Sequence, residues 1–312
     1  MPYWNEPLRR PLVEPRYLTY GSDKAPTAWA ALLAIGPPCA RLGLLQRGPV
    51  SLVDEPLNHI AIRDLIHWAG SKGFFAVRIS GVDAEEQSRI TTSVECEHSE
   101  PFPYYKSADH DLVVSLESDC TEILSGFQKI ARQEIRYAER AGFRIHMTDS
   151  SADFSRHWSL FSDLASRKGL SFRSVTSYLK LIDRCKKYGA VRIFIAETPS
   201  GTPVQMVLTI RDATTAHYVS GALDVDALGN LPSPATLVQW RAMCEWKSVG
   251  VTRYSLGTRS GPVYAFKRKF RPDELSYPSP ATLVTGRARY GIWKFVLSQM
   301  KLRKSSLRRL LR

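Results

Sequence analysis

Lys267 follows Phe266 and precedes Arg268-Lys269-Phe270, at the end of the run Tyr254-Ser-Leu-Gly-Thr-Arg-Ser-Gly-Pro-Val-Tyr-Ala-Phe-Lys-Arg-Lys-Phe270. The pattern reads as a strand, a glycine-bracketed loop and a short element stopped by Arg271-Pro272. A lysine fixed between aromatics at a strand-to-helix junction can hold a cation where negative charge develops, which acyl transfer requires. The same residues also fit a solvated basic turn, with Phe266 and Phe270 as core anchors. Upstream, Gly257 and Gly261 flank Thr258-Arg259-Ser260. Two glycines around Arg259 fit an anion-binding nest, and a plain hairpin turn explains them too.

Two basic features point to anionic partners. Arg132, Arg136 and Arg140 recur at every fourth position of an amphipathic stretch. That spacing tracks a phosphate backbone, and it also fits a solvated face paired with Glu134 and Glu139. The second feature is terminal. No acidic residue follows Glu274, whereas Arg287, Arg289, Lys294, Lys301, Arg303, Lys304, Arg308, Arg309 and Arg312 do. These nine cations account for all but four units of the net charge of +13. With Trp293, Val296, Leu297, Met300, Leu307, Leu310 and Leu311 falling largely on one side, the segment reads as a basic amphipathic helix. Such a helix suits a membrane interface or the phosphates of tRNA.

The elements that must position these residues come in two similar series. In the first half, strands are expected at residues 16–20, 28–35 and 42–45, a helix at 57–69 and a strand at 74–79. In the second half, strands at 191–196, 204–210 and 216–220 precede a helix at 235–249 and a strand at 252–256. The repeated strand–turn–strand–strand–helix–strand order predicts a duplicated α+β unit with mixed, mostly antiparallel sheets flanked by helices. Between the halves, apolar spacing predicts one helix over 122–141, ended by Gly142, then helices over 154–166 and 175–187. The expected division is 1–150 and 151–290, with the basic helix at 291–312 as a third element.

Composition excludes several classes. A chain of 312 residues is long enough for two cores, and a hydrophobic fraction of 44% argues against disorder. No apolar run reaches the ~18 residues of a spanning helix, and the N-terminus lacks a basic-then-apolar leader, so a cytoplasmic location is expected. Five dispersed cysteines without a Cys-x-x-Cys pair argue against a disulfide framework and a structural zinc site. No metal or resident cofactor is expected.

Several landmarks together resemble one family. The Tyr254–Phe270 run is similar to the closing motif of FemABX-type transferases, Tyr-Asp-x-Gly-Gly, a short loop, then Phe-Lys-x-x-Phe-Gly. Leu45-Gln-Arg-Gly-Pro-Val50 resembles their Arg-Gly-Pro-Val turn. Leu112–Leu116 followed by Phe127–Gly142 resembles their signature strand and basic helix, and residues 196–205, 220–222 and 234–250 resemble the core of the second domain. The resemblance spans about residues 40–272. Ser80 and Ser255 stand where the family commonly has aspartate.

The resemblance implies two tandem GNAT-like acyltransferase domains. It also implies transfer of an aminoacyl group from aminoacyl-tRNA to an amine of a peptide, a lipid-linked cell-envelope precursor or a natural-product acceptor. Lys267 would supply the positive charge, with the Phe266 carbonyl near the attacking amine. Arg167, Arg173 and Tyr178 would hold acceptor phosphates, and Tyr218 would face the cleft. Tyr178 and Tyr218 also fit core positions. Two alternatives stay open: an acyl-CoA-dependent N-acyltransferase, and a non-catalytic RNA- or membrane-binding protein. Against the first, Leu231-Pro-Ser-Pro234 removes backbone donors where GNAT domains cradle the CoA pyrophosphate.

Overall fold

The computed structural model describes residues 13–22, 25–36, 40–46, 50–51, 59–82, 84–93, 96–98, 110–170, 172, 174–212, 214–257, 263–278 and 280–295. Two compact units emerge: Met1–Asp109 joined by Ser276–Arg312, and His110–Leu275.

The first unit begins with strands β1 (Val13–Ser22), β2 (Ala25–Ile35), β3 (Arg41–Gln46) and β4 (Val50–Ser51). Helix α1 (His59–Ser71), strand β5 (Phe74–Ser80), helix α2 (Ala84–Ser93) and strand β6 (Cys96–His98) follow. β1, β2 and β3 form an antiparallel meander, and β3 then pairs parallel with β5 across the α1 crossover. All seven residues of β5 are buried, which explains its nearly unbroken apolar run: a strand covered on both faces has no solvent side to alternate toward. On one face Ala61, Ile62 and Ala69 of α1 pack with Leu32, Val77 and Ile79.

The second unit opens with β7 (His110–Ser115), α3 (Cys120–Gly126), α4 (Lys129–Arg140) and β8 (Arg144–Thr148). Helices α5 (Ser151–Arg156), α6 (Ser159–Lys168) and α7 (Val175–Lys186) lead to strands β9 (Val191–Glu197), β10 (Pro203–Arg211) and β11 (Thr215–Leu223). Then come α8 (Ala235–Ser248), β12 (Arg253–Ser255), the five-residue α9 (Tyr264–Arg268) and β13 (Asp273–Ser276). The sheet runs β13-β7-β12-β11-β10-β9-β8. β9, β10 and β11 form a meander, and β11 pairs parallel with β12 across α8.

The duplication is therefore real and extends further than the residue pattern. In each unit three meandering strands, a crossover helix and a parallel fourth strand recur, and a further antiparallel strand lies beside the fourth. In the second unit that strand is β7, against β12. In the first it is β14 (Ala281–Val284), which arrives from the far end of the chain to pair with β5 and β6.

These pairings move the expected boundaries. Residues 110–150 belong to the second unit, because β7 bonds to β12 and β8 bonds to β9. The chain after residue 275 returns to the first, since β14 completes that sheet. The terminal helix starts at residue 287, and its described part, 287–295, packs on the first unit through Tyr290 and Trp293 against Phe75. Residues 296–312, including most of the predicted basic helix, lie outside the described residues.

Two predicted helices are broken. The expected 122–141 helix splits into α3 and α4 because Phe127 (ψ 157°) and Gln128 (ψ 149°) are extended. Phe127 instead drives its ring into the core, edge-on to both Trp240 and Phe270 at 5.5 and 5.2 Å. The expected 154–166 helix breaks at His157, beside which Trp158 stacks on Phe161 at 5.3 Å. In both cases an aromatic side chain gains more from core packing than the backbone loses by interrupting one helical turn.

Candidate active site

α9 places Lys267, and α9 is held from three directions. Phe270, almost fully buried, meets Phe266 edge-on at 5.4 Å and anchors the C-terminal end of the turn beside Phe127. The helix break at Gln128 serves the same end. Its backbone N–H donates to the Lys269 carbonyl and its side-chain amide to the Arg268 carbonyl, both at 2.9 Å. These are carbonyls that a helix end leaves unsatisfied. Glu134 on α4 accepts from Lys269 and, at 2.6 Å, from the Thr236 hydroxyl on α8. Beyond Phe270 the chain turns sharply. Arg271 adopts a φ of 45°, left-handed for an L-residue, where Pro272 disfavours another right-handed turn.

With its neighbours clamped, the Lys267 side chain is buried, only 8% exposed. A Cβ on Gly257 would lie 3.7 Å from Lys267 Nζ, so the ammonium stands against the backbone just after β12. That backbone is itself pinned. The Leu112 N–H donates to the Gly257 carbonyl at 3.1 Å, and the Leu256 N–H to the Leu112 carbonyl at 2.8 Å. The Gly257 N–H donates to Ser255 Oγ at 3.2 Å. Ser255 Oγ in turn donates to Asp111 Oδ1 at 2.7 Å, with both side chains buried. Burial lowers the Lys267 pKa from its ordinary value, and the charge of Asp111 opposes that shift. The result is a desolvated lysine, in the field of one buried carboxylate, beside a backbone turn.

The sequence departure at Ser255 gains a meaning here. A carboxylate is present in this network, but it comes from β7 rather than from β12. Residue patterns alone missed Asp111; the available signal was an acid opening the apolar strand Leu112–Val114, a position that strand formation alone does not favour.

Gly257 has a φ of 79°. Replacing it with alanine is expected to cost about 1–2 kcal/mol in stability through the left-handed backbone. It also adds a methyl group next to Lys267 Nζ. Urea unfolding gives the first effect, and a fall in turnover larger than the stability loss explains gives the second.

The other predicted residues divide. Tyr178 lies in the core, among Phe154, Trp158 and Phe161, with its hydroxyl 3.4 Å from Ser220 Oγ. Arg167 is held by Asp226 at 3.1 Å and the Leu223 carbonyl at 3.0 Å, tying α6 to the end of β11. Tyr218 packs against the core shared by α4 and α8, and burial pushes its phenol up to about 12, with Tyr178 adding to the shift. Its neighbour Tyr254 is fully buried and donates to Gln239 Oε1 at 2.7 Å.

The arginine stripe on α4 is not a uniform face. Arg136 and Arg140 are exposed, but Arg132 turns back to the Ser125 carbonyl at the end of α3. Glu134 and Glu139 do not neutralise the stripe either, since they bond to Lys269 and Arg241. Arg173, Arg259, Lys301, Arg303, Lys304, Arg308 and Arg309 lie outside the described residues.

Residues 125–268, which include Lys267, match a family described as an acetyltransferase (GNAT) domain. No curated protein matches the chain in sequence. Among solved structures, FemX is similar over 93% of this chain and 92% of its own, with a TM-score of 0.77 and 14% identity. L-PGS from Bacillus licheniformis is similar over 87% and 84%, with a TM-score of 0.57 and 14% identity. A tandem GNAT protein from the clavulanic acid biosynthesis pathway aligns over 88% and 84%, with a TM-score of 0.50 and 10% identity. The domain match and the fold together support acyltransferase activity in general. Two like α+β units in one chain, mostly antiparallel and flanked by helices, give this protein a fold related to FemX and the GNAT-type acyltransferases.

Proposed function

We propose that the protein transfers an aminoacyl group from aminoacyl-tRNA to an amine on a peptide or cell-envelope precursor, with Lys267 as the catalytic cation. The observation that carries this reading is the buried ammonium of Lys267, held against the Gly257 backbone in a chain whose fold follows FemX almost end to end. In the reaction a neutral amine attacks the ester carbonyl, forming the C–N bond while negative charge develops on the carbonyl oxygen. The C–O bond to the tRNA ribose then breaks, and the proton released by the amine goes to the departing hydroxyl. A buried cation stabilises the oxyanion more than one in water, because less solvent screens it. The Phe266 carbonyl, on the same turn, would accept a hydrogen bond from the attacking amine.

The match to an acetyltransferase (GNAT) domain supports a second reading, with acyl-CoA as donor. The start of α8 weighs against it. Pro232 and Pro234 lack N–H groups, and the Ala235 N–H already donates to Ser233 Oγ at 3.3 Å. Few free amides remain there for a pyrophosphate.

The two readings separate in one assay. The full chain is incubated with charged total tRNA and candidate amine acceptors, and products are identified by mass. The expected result is a product heavier by one aminoacyl residue, lost on RNase treatment. RNase-insensitive turnover with acyl-CoA would establish the second reading instead.

A further inference from the structure

Supporting the Lys267 turn does not explain all the charge on α4. The inward side of the helix packs through Ala131, Ile135 and Ala138, and both of its acids are engaged, Glu134 with Lys269 and Thr236, Glu139 with Arg241. Lys129, Arg136 and Arg140 are exposed, and none of them forms an ion pair among the described residues. At 3.6 residues per turn these three and Gln133 fall within about 60° of one another on the helix surface. Tyr137 and Ile130, 54% and 46% exposed, flank the stripe on one side.

Helix stability does not account for this arrangement. Lys129 opens the helix, where the backbone dipole disfavours a cation, and no acid stands in the first turn. Arg136 and Arg140, four residues apart on one face, repel each other. The stripe also begins at the candidate active site. Gln128, the residue before it, bonds the Arg268 and Lys269 carbonyls of the turn that carries Lys267.

We propose that the outward face of α4 binds the backbone of RNA, with Lys129, Arg136 and Arg140 on phosphates of one strand and Tyr137 stacked on a base. At about 1.5 Å per residue the three cations span roughly 16 Å, a length along which one strand presents several charges. A tyrosine beside such cations suits a base, whose flat face it can cover. A lipid surface suits this face less well. The apolar side of α4 is already in the core, and the stripe is polar along its length, so no continuous apolar surface remains to enter acyl chains. The inference rests on the aminoacyl-tRNA reading, in which a strand followed along α4 would bring its esterified end to the Lys267 turn.

The test is binding of uncharged total tRNA to the full chain, measured by filter retention across a salt series. The parent is expected to bind, more weakly as salt rises. Arg136→Gln/Arg140→Gln is expected to bind about tenfold more weakly, with a log–log salt slope smaller by about 1.4–1.8. Its melting temperature should not change, since both side chains are exposed. Tyr137→Ala is expected to lose about fivefold or more with the slope unchanged. Lys180→Gln/Lys187→Gln removes the same charge from exposed positions on α7 and at its end, and is expected to bind like the parent. Equal binding by the parent and Arg136→Gln/Arg140→Gln overturns the proposal. So does equal weakening by the α7 control, which would assign the attraction to net charge alone, and so does sedimentation with phosphatidylglycerol vesicles in place of tRNA binding. Failure of the donor reading looks different. Acyl-CoA turnover that survives RNase sinks aminoacyl transfer, whereas RNase-sensitive turnover with tRNA affinity unchanged in Arg136→Gln/Arg140→Gln sinks only the α4 surface.

Discussion

Replacing Lys267 with alanine is expected to lower kcat about 100- to 1,000-fold while leaving KM nearly unchanged, the signature of a group acting mainly in the transition state. The reason is its place. Its ammonium is desolvated beside a pinned backbone turn, so its charge is already positioned when the oxyanion forms. The wild-type pH profile carries a second expectation. Lys267 acts when protonated, and burial brings its pKa below the ordinary 10.5. The rate should therefore fall as pH rises through a value below 10.5, and this alkaline limb should vanish from the residual activity of Lys267→Ala. Folded Lys267→Ala protein with full turnover would remove the residue from the mechanism.

Replacing Asp111 with alanine is expected to destabilise the chain by about 3–5 kcal/mol, because a buried cation loses its compensating charge and Ser255 loses its acceptor. Lys267→Met should also destabilise, since it leaves the Asp111 carboxylate buried with the Ser255 hydroxyl. If the two charges compensate one another, Asp111→Asn/Lys267→Met costs less than the sum of its single changes by at least about 1 kcal/mol, measured by urea unfolding. Additive costs would show that the groups are independent. The linkage has a definite sign. A lysine with a lowered folded pKa binds fewer protons folded than unfolded between that pKa and 10.5. Its contribution therefore becomes more favourable as pH rises through that window, and Lys267→Met should flatten that part of the stability curve.

Much of this protein could be read from residue order. The two strand–helix–strand series and the α+β class follow from local signals. Period-two and helical apolar spacing, glycine and proline punctuation, and a cation between aromatics are properties of neighbouring residues. The terminal accumulation of positive charge is likewise a property of sequence alone.

What the tertiary structure decided are the relations between distant residues. Nothing near residue 255 indicates that its hydroxyl will meet Asp111, because the two lie 144 residues apart and join only when β12 pairs with β7. The periodicity of residues 122–141 favoured one helix. The chain breaks there because Phe127 is drawn into a core shared with Trp240 and Phe270, freeing Gln128 to cap the turn that carries Lys267. The domain boundary moved for the same reason. Strand pairing satisfies backbone groups wherever a partner edge is available, so β7 joins the sheet that follows it and β14 returns to the sheet that precedes it, against the order of the chain.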